Sequence, residues 1–201
     1  MTRATYRTIV FALLATLAVP AGAKKNNPDV QLVFLPQQAV AAAEADITPD
    51  QRRRPVQIRV ADARAADDVA KIGSRTDDDD RYHTLRAVND VGTFVGTVVD
   101  EVVEQWGIKT GDGADLVLEI SLLEFMVEET NQAVGATYKA NVRLDGELTG
   151  DGEWSGGSFG DASRYGKKFS NENLNEVLSD ALLEALADLL SDRGLHRAWK
   201  E

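Results

Sequence analysis

The stretch VGATYKANVRLDGEL, residues 134–148, contains the clearest structural pattern in the chain. Apolar side chains alternate there with polar ones such as Lys139 and Arg143; the apolar set is Val134, Ala136, Tyr138, Ala140, Val142, Leu144 and Leu148. Because successive side chains of a strand point to opposite faces, the alternation predicts a strand with one buried and one solvated face. A slip of one residue would bury the charged set, so the register is strongly specified.

Two further strands are predicted on either side of this one. Leu116 to Glu128 also alternates, but its phase changes at the doublet Leu122-Leu123, which indicates a bulge near Leu122. After the turn Gly150-Asp151-Gly152, the stretch Trp154 to Tyr165 returns as the third strand. The three strands together predict an antiparallel meander with one apolar face.

Two long amphipathic helices supply a cover for that face. One apolar stripe recurs at helical spacing within Leu85 to Trp106, and Gly107 ends that helix. The second helix runs from Asn171 to Asp192, is capped by Ser170 and ends at Gly194. We therefore expect an α+β two-layer sandwich, a largely antiparallel sheet with both long helices on one face.

The rest of the chain divides into four segments by composition. Residues 1–23 resemble an export signal, 24–55 an arm or linker, 56–192 the domain, and 193–201 a C-terminal tail. Local elements are also predicted in the arm and at the start of the domain. They are an edge strand at Val30–Leu35, a brief helix at Ala39–Ala45, a linker at Pro49–Pro55, a strand at Val56–Val60 and a short strand at Val69–Ile72.

The first residues predict export. Arg3 and Arg7 precede the apolar run Ile9–Val19, and Ala21-Gly22-Ala23 is a small-residue cleavage site. The run is shorter than the ~20 residues of a membrane-spanning helix, so no transmembrane segment is expected in the mature chain. The absence of cysteine excludes disulfides, thiolate metal sites and a lipidated cysteine. A net charge of −11 argues against nucleic acid as a partner.

Two motifs suggest chemistry, and both lack the context that they need. Gly156-Gly157-Ser158-Phe159-Gly160 matches the nucleophile elbow of serine hydrolases, and Asp188 and His196 follow in the hydrolase order. That elbow requires a strand that turns at once into a helix, whereas the next helix is predicted only after Phe169. A hydrolase at Ser158 is therefore kept only as an alternative.

The aspartate run at residues 77–80 fails the calcium-loop template, because Tyr82 and Val88 occupy its glycine and glutamate positions. The run is interpreted as a solvated turn. His83 and His196, the two histidines of the chain, are interpreted as surface residues. No catalytic, cofactor-binding or metal-ligating residue is predicted.

Several stretches resemble the YajG-like family of bacterial envelope lipoproteins over about residues 54–192. They are PVQIRVADARAADDVAKIGSRT (55–76), VNDVGTFVGTVVDEVVEQWG (88–107), ADLVLEISLLEF (114–125), YKANVRLDGELTGDG (138–152) and NENLNEVLSDALLEALADLLSD (171–192). The resemblance implies an outer-membrane-associated domain that faces the periplasm and has no established enzymatic activity. Relatives carry a lipidated cysteine after the cleavage site, where this chain has Ala21-Gly22-Ala23-Lys24.

We therefore expect a soluble periplasmic protein, with peripheral attachment to the outer membrane left open. Its expected role is that of a non-catalytic accessory that binds an unknown envelope protein or cell-wall component. The alternatives are an auxiliary component of an envelope ABC-type transport system and the serine hydrolase at Ser158.

Overall fold

The computed structural model describes residues 29–37, 46–79 and 81–200. Over these residues the strands are β1 (Asp29–Val30), β2 (Val56–Asp62), β3 (Lys71–Thr76), β4 (Tyr82–Ala87), β5 (Leu116–Asn131), β6 (Ala136–Gly150) and β7 (Trp154–Gly166). The helices are α1 (Pro49–Arg53), α2 (Val91–Gln105), α3 (Asn171–Leu190) and α4 (Arg193–Ala198), with a 3-10 turn at Ala66–Asp68. The predicted export signal, the helix at Ala39–Ala45 and Asp80 lie outside the described residues.

All seven strands form one sheet of α+β character. Its order is β1-β4-β3-β5-β6-β7, and β2 pairs separately with the first half of β5. The long ladders, β5 with β6 and β6 with β7, are antiparallel, and the predicted meander is confirmed. Three shorter ladders are parallel: β1 with β4, β2 with β5, and β3 with β5.

The alternation of β6 sets which face is buried. From Ala136 to Leu148 its apolar side chains are buried, and the intervening Lys139 and Arg143 are exposed. Val134, placed in the buried set by the sequence, is 80% exposed, because the strand begins only after the turn at Gly135, where φ is +82°. The predicted bulge is confirmed as a register shift between Leu122 and Glu124.

Both long helices pack on the same face of the sheet. The Phe94 ring of α2 meets the Phe125 ring of β5 edge to face, with 6.1 Å between centroids. α3 crosses β6 and β7 so closely that a Cβ atom on Gly160 would lie 2.1 Å from the Ala181 carbonyl oxygen. We call this side the covered face and the opposite side the bare face.

The prediction of a helix from Leu85 is wrong at its start. Residues 82–87 form β4, which pairs with β3 and buries Leu85 beside Gly73. The helix begins only at Val91, because the Asp90 carboxylate caps it by accepting the Thr93 N–H at 2.7 Å. The short strand predicted at Val69–Ile72 is likewise displaced and becomes β3 at Lys71–Thr76.

The described parts of the segments predicted as arm, linker and tail pack against the rest of the domain. Only Asp29 and Val30 pair as a strand, and residues 31–37 then follow α3, where Val33 N–H donates to Asn175 and Leu35 N–H to Ser179. Residues 49–53, predicted as a linker, form α1. Its Gln51 side chain is buried and donates to the Leu190 carbonyl oxygen.

The end of α3 also differs from the prediction. The helix stops at Leu190 and not at the predicted Asp192, because Asp192 caps the separate short helix α4, which contains Gly194. Leu195 and Trp199 of this C-terminal segment are fully buried.

Candidate functional site

Among the described residues, no helix covers the bare face, which leaves it open for binding. Its central charged and polar side chains come from alternate positions of four neighbouring strands. They are Arg59 of β2, Glu119, Ser121 and Glu128 of β5, Lys139, Arg143, Asp145 and Glu147 of β6, and Ser155 of β7. Phe159, on β7, is half-exposed. This face follows directly from the alternation, since the opposite parity of each strand is used for the core.

A groove of about 530 Å³ lies at one end of the bare face. The carboxylates of Glu119, Asp145 and Glu147 line it, with Ser121 and Ser155. Gly156 and Gly157 contribute backbone alone, so on the β7 side only the small Ser155 side chain enters the groove. A concave surface with this donor set attracts cations.

The strand register places the Arg59 guanidinium at the rim of the groove. Arg59, Glu119, Glu147 and Ser155 stand side by side across four strands. Arg59 Nη1 lies 3.3 Å from Glu119 Oε1, and both side chains are more than half exposed. Asp145 and Glu147 have no such partner among the described ion pairs, so the groove keeps a net negative charge.

Ser158 does not stand on a nucleophile elbow. It lies within the antiparallel strand β7, opposite Leu144, and its buried Oγ faces the covered side without a hydrogen-bond partner. His196 Nε2 instead lies 2.9 Å from the Leu190 carbonyl oxygen, and Asp188 is exposed on α3. Gly160 of the motif serves the close approach of α3, as glycines on a strand often do.

The aspartate run is only partly the solvated turn that the sequence predicted. Asp77 is 2% exposed, and its carboxylate accepts the N–H groups of Asp79 and Arg81 and lies 2.9 Å from His83 Nε2. The bond from the His83 side chain, followed by that from the Arg81 backbone, holds the pKa of Asp77 well below its usual value. Asp77 therefore organises the hairpin between β3 and β4.

No metal site is apparent in the part of the chain that the structure describes. Over residues 29–37, 46–79 and 81–200, no three histidine or acidic side chains are grouped so that they could hold a metal ion. Across the same residues, none of the helices combines the length and apolarity needed to cross a membrane.

A buried polar cluster on the covered face was not predicted from the sequence. Glu129 is completely buried and pairs with the guanidinium of Arg75. Its carboxylate also accepts the Phe169 N–H at 2.6 Å and lies 3.1 Å from the Tyr138 hydroxyl, whose pKa is raised by burial. The cluster holds the chain in place just before α3 begins, where Phe169 has a φ of +57°.

Three comparisons bear on relatives of the chain. Residues 41–200 match the family model of an uncharacterised lipoprotein family. No curated protein matches the chain. A crystal structure of a Xanthomonas campestris protein assigned to the family DUF330 has a similar fold, with a TM-score of 0.50 and 12% identity, over 81% of this chain and 91% of that one. At this identity the likeness concerns the fold alone.

Proposed function

The chain belongs to a family of uncharacterised lipoproteins, and from this premise we propose that it is a non-catalytic accessory protein of the cell envelope. It binds a basic segment on another envelope protein through the acidic groove of its bare face. The observation that carries the proposal is that, within the described residues, both long helices cover one face of the seven-stranded sheet and none covers the other.

The groove supports this choice of partner by its charge. Three carboxylates line it, those of Glu119, Asp145 and Glu147, and its lining residues include no lysine or arginine, although the Arg59 guanidinium pairs with Glu119 at the rim. A partner that presents lysine or arginine there is attracted over several ångströms, while an anionic partner is repelled. The net charge of −11 extends the same preference to the whole chain.

Export to the periplasm is part of the proposal. It rests on Arg3, Arg7, the apolar run Ile9–Val19 and the cleavage triplet Ala21-Gly22-Ala23. The absence of cysteine supports a YajG-like protein that is not lipidated. N-terminal sequencing of the exported chain is expected to begin at Lys24, and an uncleaved chain in the cytoplasm would contradict the proposal.

Site-specific photocrosslinking in living cells tests the binding role. A benzoylphenylalanine residue replaces Glu147 in the groove or, as a matched control, Glu172 on the exposed side of α3. We expect one dominant adduct with a basic protein from the Glu147 position and not from Glu172.

Charge reversal within the groove makes this test specific. Glu119→Lys together with Asp145→Lys is expected to reduce the adduct from position 147 by about tenfold, because the reversed charges repel a basic partner and slow its association. An equal adduct from position 172, an adduct that survives the reversal, or no adduct at all would refute the proposed role. Any turnover by the purified protein that Ser158→Ala abolishes would refute its non-catalytic part.

A further inference from the structure

The outer edge of β2 presents unpaired backbone groups. β2 pairs with β5 on one side only. On its other side, the Val56 N–H donates to the Lys109 carbonyl at 3.0 Å, and the Val56 carbonyl accepts the Gly111 N–H at 3.1 Å. Backbone direction alternates along a strand, so Ile58 and Val60 point their N–H and C=O groups toward the same outer side.

Nothing in the described part of the chain pairs with the edge beyond Val56. The backbone hydrogen bonds outside the helices and strands of residues 29–37, 46–79 and 81–200 do not involve Ile58 or Val60. An edge of this kind is a template for another strand unless it is covered or shielded by charge. The segment around Thr110 already pairs in parallel with Val56, so one residue of this edge is paired within the chain as an added strand would pair with the rest.

Helix α2 turns this edge into a groove. The helix passes over β2, and the space between them, about 520 Å³, is lined by Ile58, Val60, Thr93, Thr97 and Asp100 together with two helix glycines. A Cβ atom on Gly96 would meet only the Val60 Cβ, at 3.9 Å. Packing within the chain therefore does not require a glycine there, and its effect is to leave room beside the unpaired edge.

The charged residues that line the groove are aspartates. Asp62, Asp90 and Asp100 line it, and no lysine or arginine does. Asp62 is paired with Arg64 at 2.7 Å, and Asp90 caps α2, which leaves Asp100 as the acidic side chain of the groove without a described partner. α2 itself contains acidic residues and no basic one.

We propose that this groove binds an extended basic segment of another protein, which adds to the sheet as a strand beside Ile58 and Val60. Main-chain hydrogen bonds to the edge supply affinity, as in other strand additions, and the space over Gly96 accepts one apolar side chain. Asp100 selects lysine or arginine. A second copy of this chain fits less well, because it would bring two acidic helices together. The inference concerns a surface separate from the bare-face groove and does not rest on the function proposed above.

Binding of a synthetic strand to the full chain tests the backbone pairing. The probe is a fluorescent peptide, Lys-Val-Lys-Val-Lys-Val-Lys, with two derivatives that are N-methylated on every valine or on every lysine. The N–H groups of an extended peptide point alternately to its two sides, so either the valine or the lysine N–H groups face β2, but not both. We therefore expect one methylated derivative to bind at least about tenfold more weakly than the other. The analogue with glutamate in place of lysine should not bind. Equal binding by both methylated derivatives would overturn strand addition.

Two variants locate the site. Gly96→Leu fills the space over Val60, and Asp100→Lys reverses an exposed charge. Each variant is expected to bind the peptide about tenfold more weakly. The control Glu172→Lys makes the same charge reversal on α3 and should not weaken peptide binding. Far-ultraviolet circular dichroism shows whether Gly96→Leu folds, and Asp100→Lys decides the matter if it does not. Unchanged binding by Asp100→Lys would overturn the proposal. The proposal would also be overturned if the protein self-associated and Gly96→Leu returned it to the monomer, because the edge would then bind a second copy of the chain.

Discussion

Glu128 and Glu129 are neighbours on β5, yet they lie on opposite faces of the sheet. Glu128 is exposed on the bare face, whereas Glu129 is completely buried on the covered face, beside Arg75. The same contrast separates the two faces as a whole. The charges of Glu129 and Arg75 are desolvated and paired with each other, so the fold depends on them. Charges on the bare face remain in water and are free to meet a partner.

The largest expected effect comes from neutralising these two glutamates in turn. Glu129→Gln leaves the buried Arg75 guanidinium without its counter-charge, and we expect a loss of about 3–5 kcal/mol in the free energy of unfolding. Glu128→Gln should change it by less than about 0.5 kcal/mol. Urea unfolding at neutral pH measures both. Similar losses in the two variants would show that the faces do not differ as described.

A pair of glycines on β7 sharpens the comparison through packing. A Cβ atom on Gly160 would lie 2.1 Å from the Ala181 carbonyl oxygen, and α3 must move to admit it. On the bare face, a Cβ atom on Gly157 would lie 2.7 Å from Asp145 Oδ1, which is the end of a side chain that can rotate. Gly160→Ala should cost about 1–3 kcal/mol or more, and Gly157→Ala less than about 1 kcal/mol.

Thermal unfolding of both glycine variants measures this difference. A melting temperature for Gly160→Ala that equals the wild-type value would contradict the close contact between α3 and β7. A large drop for Gly157→Ala would show instead that the bare face is packed against something.

The two faces were predictable because the sequence signals that encode them are local. Alternation in β6, the doublet at Leu122 and the cap at Ser170 each lie within a few residues and were confirmed. β4 was missed because Leu85 and Val88 fit the spacing of the helix that follows. The pairing of β4 with β3, which overrides this spacing, is a tertiary contact.

The polar details of the fold could not be predicted for a related reason. A glutamate on a strand gives no indication that it is buried, and the partner of Glu129, Arg75, is far away in sequence. Similarly, Asp77 looked like one of several solvated aspartates until the turn brought His83 against it. The open edge of β2 depends on the order of strands in the sheet, which local periodicity does not specify.

At the margin of the covered face, substitution of two glycines of α2 is expected to change stability less than the β7 substitutions do, and to raise it. Alanine at Gly96 meets no close atom, so we expect Gly96→Ala to stabilise the protein by about 0.5–1 kcal/mol through its helix preference. Alanine at Gly92 would place its Cβ 3.1 Å from the Asp62 Cβ, so Gly92→Ala should gain less. Urea unfolding compares them, and a destabilised Gly96→Ala would show that packing fills this space.

The smallest effect is expected from the ion pair on the bare face, Arg59 with Glu119. Both side chains are more than half exposed, so solvent screens the pair, and its coupling energy should be only about 0.2–1 kcal/mol. A double-mutant cycle with Arg59→Gln and Glu119→Gln measures it, and the value should fall further at high salt. A coupling near that of the buried Arg75–Glu129 pair would mean that this part of the sheet is covered in solution. The bare face would then already be occupied by its partner or by part of the chain itself.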